Sequence, residues 1–193
     1  MRAETIAPSP GTTRSVKRRI VLIVMIALAP VLASYAVYYF WTPEKQVNYG
    51  KLYATPAPAI AGRRADGEPF ALSDLRGRWT IVTAGPGACG ATCRANLYAG
   101  RQARTIQNAE RDRVTRVWLV TDEAPVPQDV LAEHPDVVLV RAGPSVVTAL
   151  PERARGSYLI DPLGNLVLAW PDDPDIKAVA RDLGRLLRAS RIG

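Results

Sequence analysis

The sequence predicts an α/β fold, a central mixed sheet flanked by helices, preceded by one N-terminal transmembrane helix. Three observations predict it. Residues 20–40 run for 21 positions without a charged side chain. After them, short β-branched runs alternate with apolar stripes of helical period, the pattern of a layered α/β domain. Hairpin signals open and close that alternation. A chain of 193 residues, 48% of them hydrophobic, holds one such domain plus an anchor, and its composition excludes wholesale disorder.

A helix over residues 20–40 spans roughly 30 Å at about 1.5 Å per residue, the thickness of the hydrocarbon layer. Eleven of these residues are Ile, Leu, Val or Phe, which together favour insertion by roughly 3 to 7 kcal/mol. Pro30 is tolerated in a membrane helix. Tyr35, Tyr38, Tyr39 and Trp41 form an aromatic belt at one end; Arg14, Lys17, Arg18 and Arg19 crowd the other. Residues 1–19 carry a balance of +4, with Arg2 and Glu4 included. The positive-inside rule puts that end in the cytoplasm and exports the rest; the expected location is an inner (cytoplasmic) membrane with the folded domain periplasmic. A cleaved signal peptide would use Ser34-Tyr35-Ala36, a loose small-x-small site. The apolar run is longer than a usual signal core, so an anchor is the preferred reading. No cysteine adjoins the segment's end, which excludes a lipoprotein. Beyond residue 19 the balance is only +3 and unclustered, which argues against a nucleic-acid partner.

Residues 42–59, punctuated by Pro43, Pro56 and Pro58, read as a linker, and the folded domain as 60–193. Asp66-Gly67 is a turn between two short strands. Ser73 to Gly77 reads as a helical turn ending at glycine, and residues 79–83 as a buried strand. Gly85-Pro86-Gly87 is a loop. A helix over about 89–108 follows, its stripe at Ala95, Tyr98, Ala99, Gln102, Ala103 and Ile106. Residues 114–120 form a strand, 128–133 a short helix, 137–140 a strand and 145–150 a helical turn. Strands at 158–160 and 166–170 flank a turn at Asp161-Pro162-Leu163-Gly164-Asn165. Asp173 caps the last helix with Pro174 at its first position. Its apolar stripe is Ile176, Val179, Ala180, Leu183, Leu186 and Leu187.

The two cysteines, Cys89 and Cys93, are the only ones in the chain. A bridge between them closes too short a loop to stabilise much, so chemistry explains the pair better than architecture does. Both sit where a strand gives way to a helix, whose unpaired N–H groups and dipole favour a thiolate. Arg94 adds a positive charge. A spacing of four puts both sulfurs on one face of the first turn, to chelate one soft ion such as Cu(I) or to close a reducible disulfide. The competing reading is two buried cysteines that merely pack.

With these residues in hand, the chain resembles the thioredoxin-like superfamily. The residues that carry the likeness are Asp66-Gly67-Glu68-Pro69-Phe70, Leu72-Ser73-Asp74-Leu75-Arg76-Gly77-Arg78-Trp79, the cysteine pair, and Tyr158-Leu159-Ile160-Asp161-Pro162-Leu163-Gly164-Asn165. The three-residue gap between the cysteines is most similar to the Sco/SenC branch, as is Trp118-Leu119-Val120-Thr121-Asp122. The resemblance covers roughly residues 56–190. It implies a membrane-anchored protein assisting cytochrome c oxidase assembly, with an oxidase subunit or another copper or thiol protein as partner. Cys89 and Cys93 would hold copper as Cu(I) or exchange disulfides, with Asp122 either supporting them or capping the end of its strand. This chain departs from the branch at Gly90 and Arg94, where proline follows each cysteine. It also has no histidine in Pro151-Glu152-Arg153-Ala154-Arg155-Gly156-Ser157, where the branch carries its copper ligand. His134, the only histidine, reads as a surface residue.

Trp79, Trp118 and Trp170 read as core. The arginines at 101, 104, 111, 113 and 116 read mostly as a solvated face, and Asp172, Asp173 and Asp175 as helix capping. Two alternatives stand beside the assembly factor. One is a general thiol-disulfide oxidoreductase in which Cys89 attacks and Cys93 resolves. The other is a non-catalytic scaffold that keeps the fold only as a binding surface.

Overall fold

A computed structural model describes residues 11–40, 48–151 and 156–192. Arg2, Glu4, Trp41 and Pro43 lie outside the described residues, as do 152–155. The chain divides into two compact units, Met1–Gln46 and Val47–Gly193.

In the first unit, α1 (Gly11–Phe40) is one helix of 30 residues with Pro30 inside it. Its segment Ser15–Tyr39 is long and apolar enough to cross a membrane. Near its end Tyr35 stacks on Tyr39 with ring centroids 6.4 Å apart, and Tyr38 meets Tyr39 edge-on at 5.2 Å.

The second unit is built on eight strands: β1 (Lys51–Pro56), β2 (Ala61–Arg64), β3 (Pro69–Ala71), β4 (Trp79–Gly85), β5 (Val114–Val120), β6 (Val137–Ala142), β7 (Gly156–Ile160) and β8 (Asn165–Trp170). They form one mixed sheet in the order β1-β8-β7-β4-β5-β6-β2-β3. The centre of the sheet is β4, parallel to β5 and antiparallel to β7, and all seven of its residues are buried. Such a strand reads as a continuous apolar run because both its faces are covered. The helices are α2 (Ala91–Ile106), α3 (Gln128–Glu133), α4 (Pro144–Ala149) and α5 (Ile176–Ala189).

Alternation along the strands splits the core between the two faces of the sheet. On one face Trp79, Ile81, Leu159, Leu168 and Trp170 pack with Ala103 of α2 and Val179, Leu183 and Leu187 of α5. On the other, Val82, Ala84, Val117, Leu119, Tyr158 and Ile160 pack with Ile60, Phe70, Val146 and Leu150. The three tryptophans expected in the core are there, each 4% exposed or less.

Several expectations need correction. The segment read as a linker contains β1, which pairs antiparallel with β8 from Lys51↔Ala169 to Pro56↔Asn165 across a bulge. Its proline sits at the strand's end on a sheet edge, where a missing N–H costs nothing. The stripe of α2 is rotated from the one read: Cys93, Asn96, Leu97, Ala99, Gly100 and Ala103 are buried, while Tyr98 and Ile106 are 45% and 49% exposed. A buried asparagine and a buried glycine disguised the inward face. The cap of α5 is Asp175, which accepts from the Ala178 N–H at 2.9 Å, so Pro174 precedes the cap.

The arginines are not mostly a solvated face either. Arg116 is 3% exposed; it donates from Nη1 to Asp136 Oδ1 and from Nη2 to the Leu97 carbonyl, both at 2.8 Å. Arg104 donates to the Arg111 and Val114 carbonyls. Arg113 reaches the carbonyls of Leu187, Ser190 and Ile192 at the end of α5. Guanidinium forks here tie carbonyls that end an element.

His134 is buried at 2% exposure, contrary to its surface reading. It follows α3, and its Nδ1 lies 3.4 Å from Arg116 Nη2. Burial, then the charges of Arg116 and Arg101, hold its imidazole below the ordinary 6.5. The native ring is therefore neutral where the unfolded chain already takes up a proton. Stability that is full above about pH 6.5 declines as pH falls from there toward the lower native value. The urea midpoint is expected to drop between pH 7 and pH 5, and His134→Gln to flatten that drop. An equally steep drop in the variant would remove His134 as its source. Asp136 does not confuse the window. Burial pushes its carboxyl up, but the Arg116 charge and hydrogen bond hold it below its usual 3.8, so its contribution is lost only in stronger acid.

Candidate functional site

The site forms where β4 ends. Parallel pairing with β5 carries on past the strands, with the Thr121 N–H donating to the Gly85 carbonyl at 3.0 Å. The chain then turns through Pro86-Gly87-Ala88 into Cys89, whose N–H donates to the Pro86 carbonyl at 3.1 Å. Asp122, just past β5, accepts the Gly87 N–H at 2.8 Å and the Ala124 N–H at 3.2 Å through one oxygen, Oδ1. It steadies the loop leading to the cysteines. Arg141 fixes the other side of that contact, donating to the carbonyls of Asp122 and Ala124.

Cys89 and Cys93 are joined as a disulfide, with Cα atoms 5.0 Å apart. The two are not both on the helix, as their spacing suggested. Gly90 is the N-cap of α2, Cys93 is its third residue, and Cys89 lies before it in left-handed backbone with φ 43°. The sulfurs meet because the left-handed turn folds Cys89 back against the first helical turn. Both pack in a small apolar cluster with Leu97, Trp118, Val120 and Val130.

A groove of about 400 Å³ opens beside them, lined by Gly85, Pro86, Cys93, Asn96, Thr121 and Asp172 among others. Cys93 is 6% exposed and borders the groove, whereas Cys89 is 1% exposed and does not. Sequence reasoning missed Asn96. It is 2% exposed, donates from Nδ2 to Asp172 Oδ1 at 2.9 Å, and accepts the Asp173 N–H at 2.9 Å. It thus ties α2 to the loop before α5 and holds one wall of the groove. Its signal was a polar residue three positions after Cys93, on the same helical face. Asp172 serves in that wall rather than as a cap. Arg94, expected to lend its charge to the sulfurs, is paired at 2.9 Å with Asp129.

For copper, the donor chemistry decides. Reduced, the two cysteines supply two thiolates, which suit a near-linear Cu(I) site. Among the described residues no group of three His, Cys, Asp or Glu side chains converges to hold a metal. His134 has its Nδ1 at the Arg116 guanidinium. The three-donor copper centre that the resemblance implied is therefore not assembled by the described residues.

A family model described as "Transmembrane-like, thioredoxin-like, C-terminal domain" matches residues 79–190. No curated protein matches the chain. Among solved structures, copper-bound ScoI of Arabidopsis thaliana matches with TM-score 0.57 at 19% identity, over 69% of this chain and 99% of that one. Copper-bound yeast Sco1 matches with TM-score 0.62 at 15% identity, over 72% and 96%. The thioredoxin domain of a thiol-disulfide oxidoreductase from Bacteroides vulgatus matches with TM-score 0.55 at 20% identity, over 71% and 99%. At these identities the likeness establishes the fold, which is thioredoxin-like as the sequence implied.

Proposed function

The chain belongs to the family of transmembrane-like, thioredoxin-like C-terminal domains, and from that premise we propose that it is a membrane-anchored, Sco-like protein that assists cytochrome c oxidase assembly by reducing a client's disulfide. The observation that carries this is the Cys89–Cys93 disulfide at the start of α2, with Cys93 bordering an open groove. The pair is the redox couple. In its dithiol form it passes two electrons to a client disulfide and becomes the bonded pair described above. Asp122 and the Gly87 loop hold Cys89 in place, and Asn96 and Asp172 shape the wall the client meets. Lys17, Arg18 and Arg19 at one end of α1 and the tyrosines at the other support an N-terminus in the cytoplasm and a folded unit in the periplasm.

Replacing both cysteines by serine in the full chain is the test. Reduction of a small-molecule disulfide by the detergent-solubilised protein is expected to fall to the uncatalysed rate, and oxidase assembly in cells to fail. Intact assembly with the double variant would end the proposal.

Cu(I) handling is a second reading, favoured by two sulfurs that meet at a groove edge and by copper-bound structures sharing the fold. Copper is then cargo held between the two thiolates. It requires that the reduced full chain bind one equivalent of Cu(I) and that Cys93→Ser abolish binding.

A further inference from the structure

We infer that Cys93, and not Cys89, is the sulfur that forms the mixed disulfide with the partner, the reverse of the order that sequence position suggests. The inference rests on the thiol-exchange reading and adds a direction to it.

Two observations agree. Cys93, 6% exposed, borders the groove, while Cys89, 1% exposed, does not line it. Exchange depends on access to the sulfur, and of the two cysteines only Cys93 lines the groove. Second, Gly85 at the end of β4 keeps the approach open. A Cβ built there would lie 3.7 Å from Cys93 Sγ, in ordinary contact with it.

The Cys93 thiolate attacks one sulfur of a client disulfide. That S–S bond breaks, and the departing client sulfur takes a proton from solvent. Cys89 gives its proton to solvent and attacks Cys93 Sγ. The Cys89–Cys93 bond forms and the second client thiolate leaves. The protein's dithiol is oxidised and the client's disulfide reduced, by two electrons.

The test uses the full chain in detergent, reduced and freed of reductant. In the wild type, a limiting dose of iodoacetamide followed by peptide mass spectrometry is expected to label Cys93 about tenfold faster than Cys89. With hydroxyethyl disulfide, a small neutral probe, Cys89→Ser is expected to accumulate the mixed disulfide on Cys93. Cys93→Ser should form its adduct about tenfold more slowly. Gly85→Ala, which sets a methyl against the Cys93 sulfur without a clash, is expected to slow the wild-type reaction. Equal labelling, or faster labelling of Cys89, overturns the assignment even if a single-serine variant fails to fold. If Cys93→Ser reacts fast and Cys89→Ser does not, the order is wrong and thiol exchange survives. If neither cysteine reacts, both fall.

Discussion

Gly87→Ala is expected to cost about 2 to 4 kcal/mol of stability and to slow disulfide exchange by tenfold or more. A Cβ on residue 87 would stand 2.2 Å from the Ala124 carbonyl oxygen and 3.0 Å from its carbon. Both are backbone atoms, and they cannot swing away as a side-chain tip would. Arg141 pins them, donating at 2.9 Å to the Asp122 carbonyl and at 3.0 Å to that of Ala124. The Pro86–Ala88 turn must move instead, which stretches the 2.8 Å bond from the Gly87 N–H to Asp122 and shifts Cys89 two residues on. Urea unfolding and the rate of reaction with hydroxyethyl disulfide measure the two effects. A variant with wild-type values for both would show that the loop does not position the cysteines.

Asp182→Ala is expected to destabilise the folded unit by about 3 kcal/mol. The Asp182 carboxylate, 1% exposed, accepts from the N–H groups of Tyr49 and Gly50 at 3.2 and 2.9 Å, and from Trp170 Nε1 at 3.3 Å. It fastens the segment entering β1 to α5 and the end of β8. Alanine leaves these donors facing a void, and an unpaired buried donor costs more than its bond returned. Asp182→Asn, which keeps the shape and one acceptor oxygen, should lose about half as much. The groove lies elsewhere on the unit, so the folded fraction of either variant is expected to react with disulfides at the wild-type rate. A denaturation midpoint unchanged in Asp182→Ala would refute the fastening role.

Most of the sheet was legible because its strands are short, β-branched and bounded by turns. The strand over 114–120 and the helix over 128–133 come out with the bounds read from sequence. The hairpin at Asp66-Gly67 forms with Gly67 at φ 90°, the conformation glycine supplies. What escaped was decided by tertiary contact. The strand β1 carries two prolines' worth of loop signal around it and is ordered by partners more than a hundred residues away, β8 along its length and Asp182 at its entry. Asn96, Arg116, His134 and Asp182 are polar residues that composition assigns to the surface, and each is buried because it closes a hydrogen-bond network between distant elements. At the site, the nearness of the two cysteines was legible from their spacing. Which of them borders the groove was not, because that depends on the left-handed turn at Cys89.

The backbone at residue 89, at φ 43°, is one that glycine adopts freely and that costs other residues about 1 to 2 kcal/mol. A cysteine there is a poor choice for the scaffold and necessary for the bridge. Engineering that ranks substitutions by backbone preference alone would favour glycine at this position. It would then return a molecule from which the sulfur–sulfur bond had been erased.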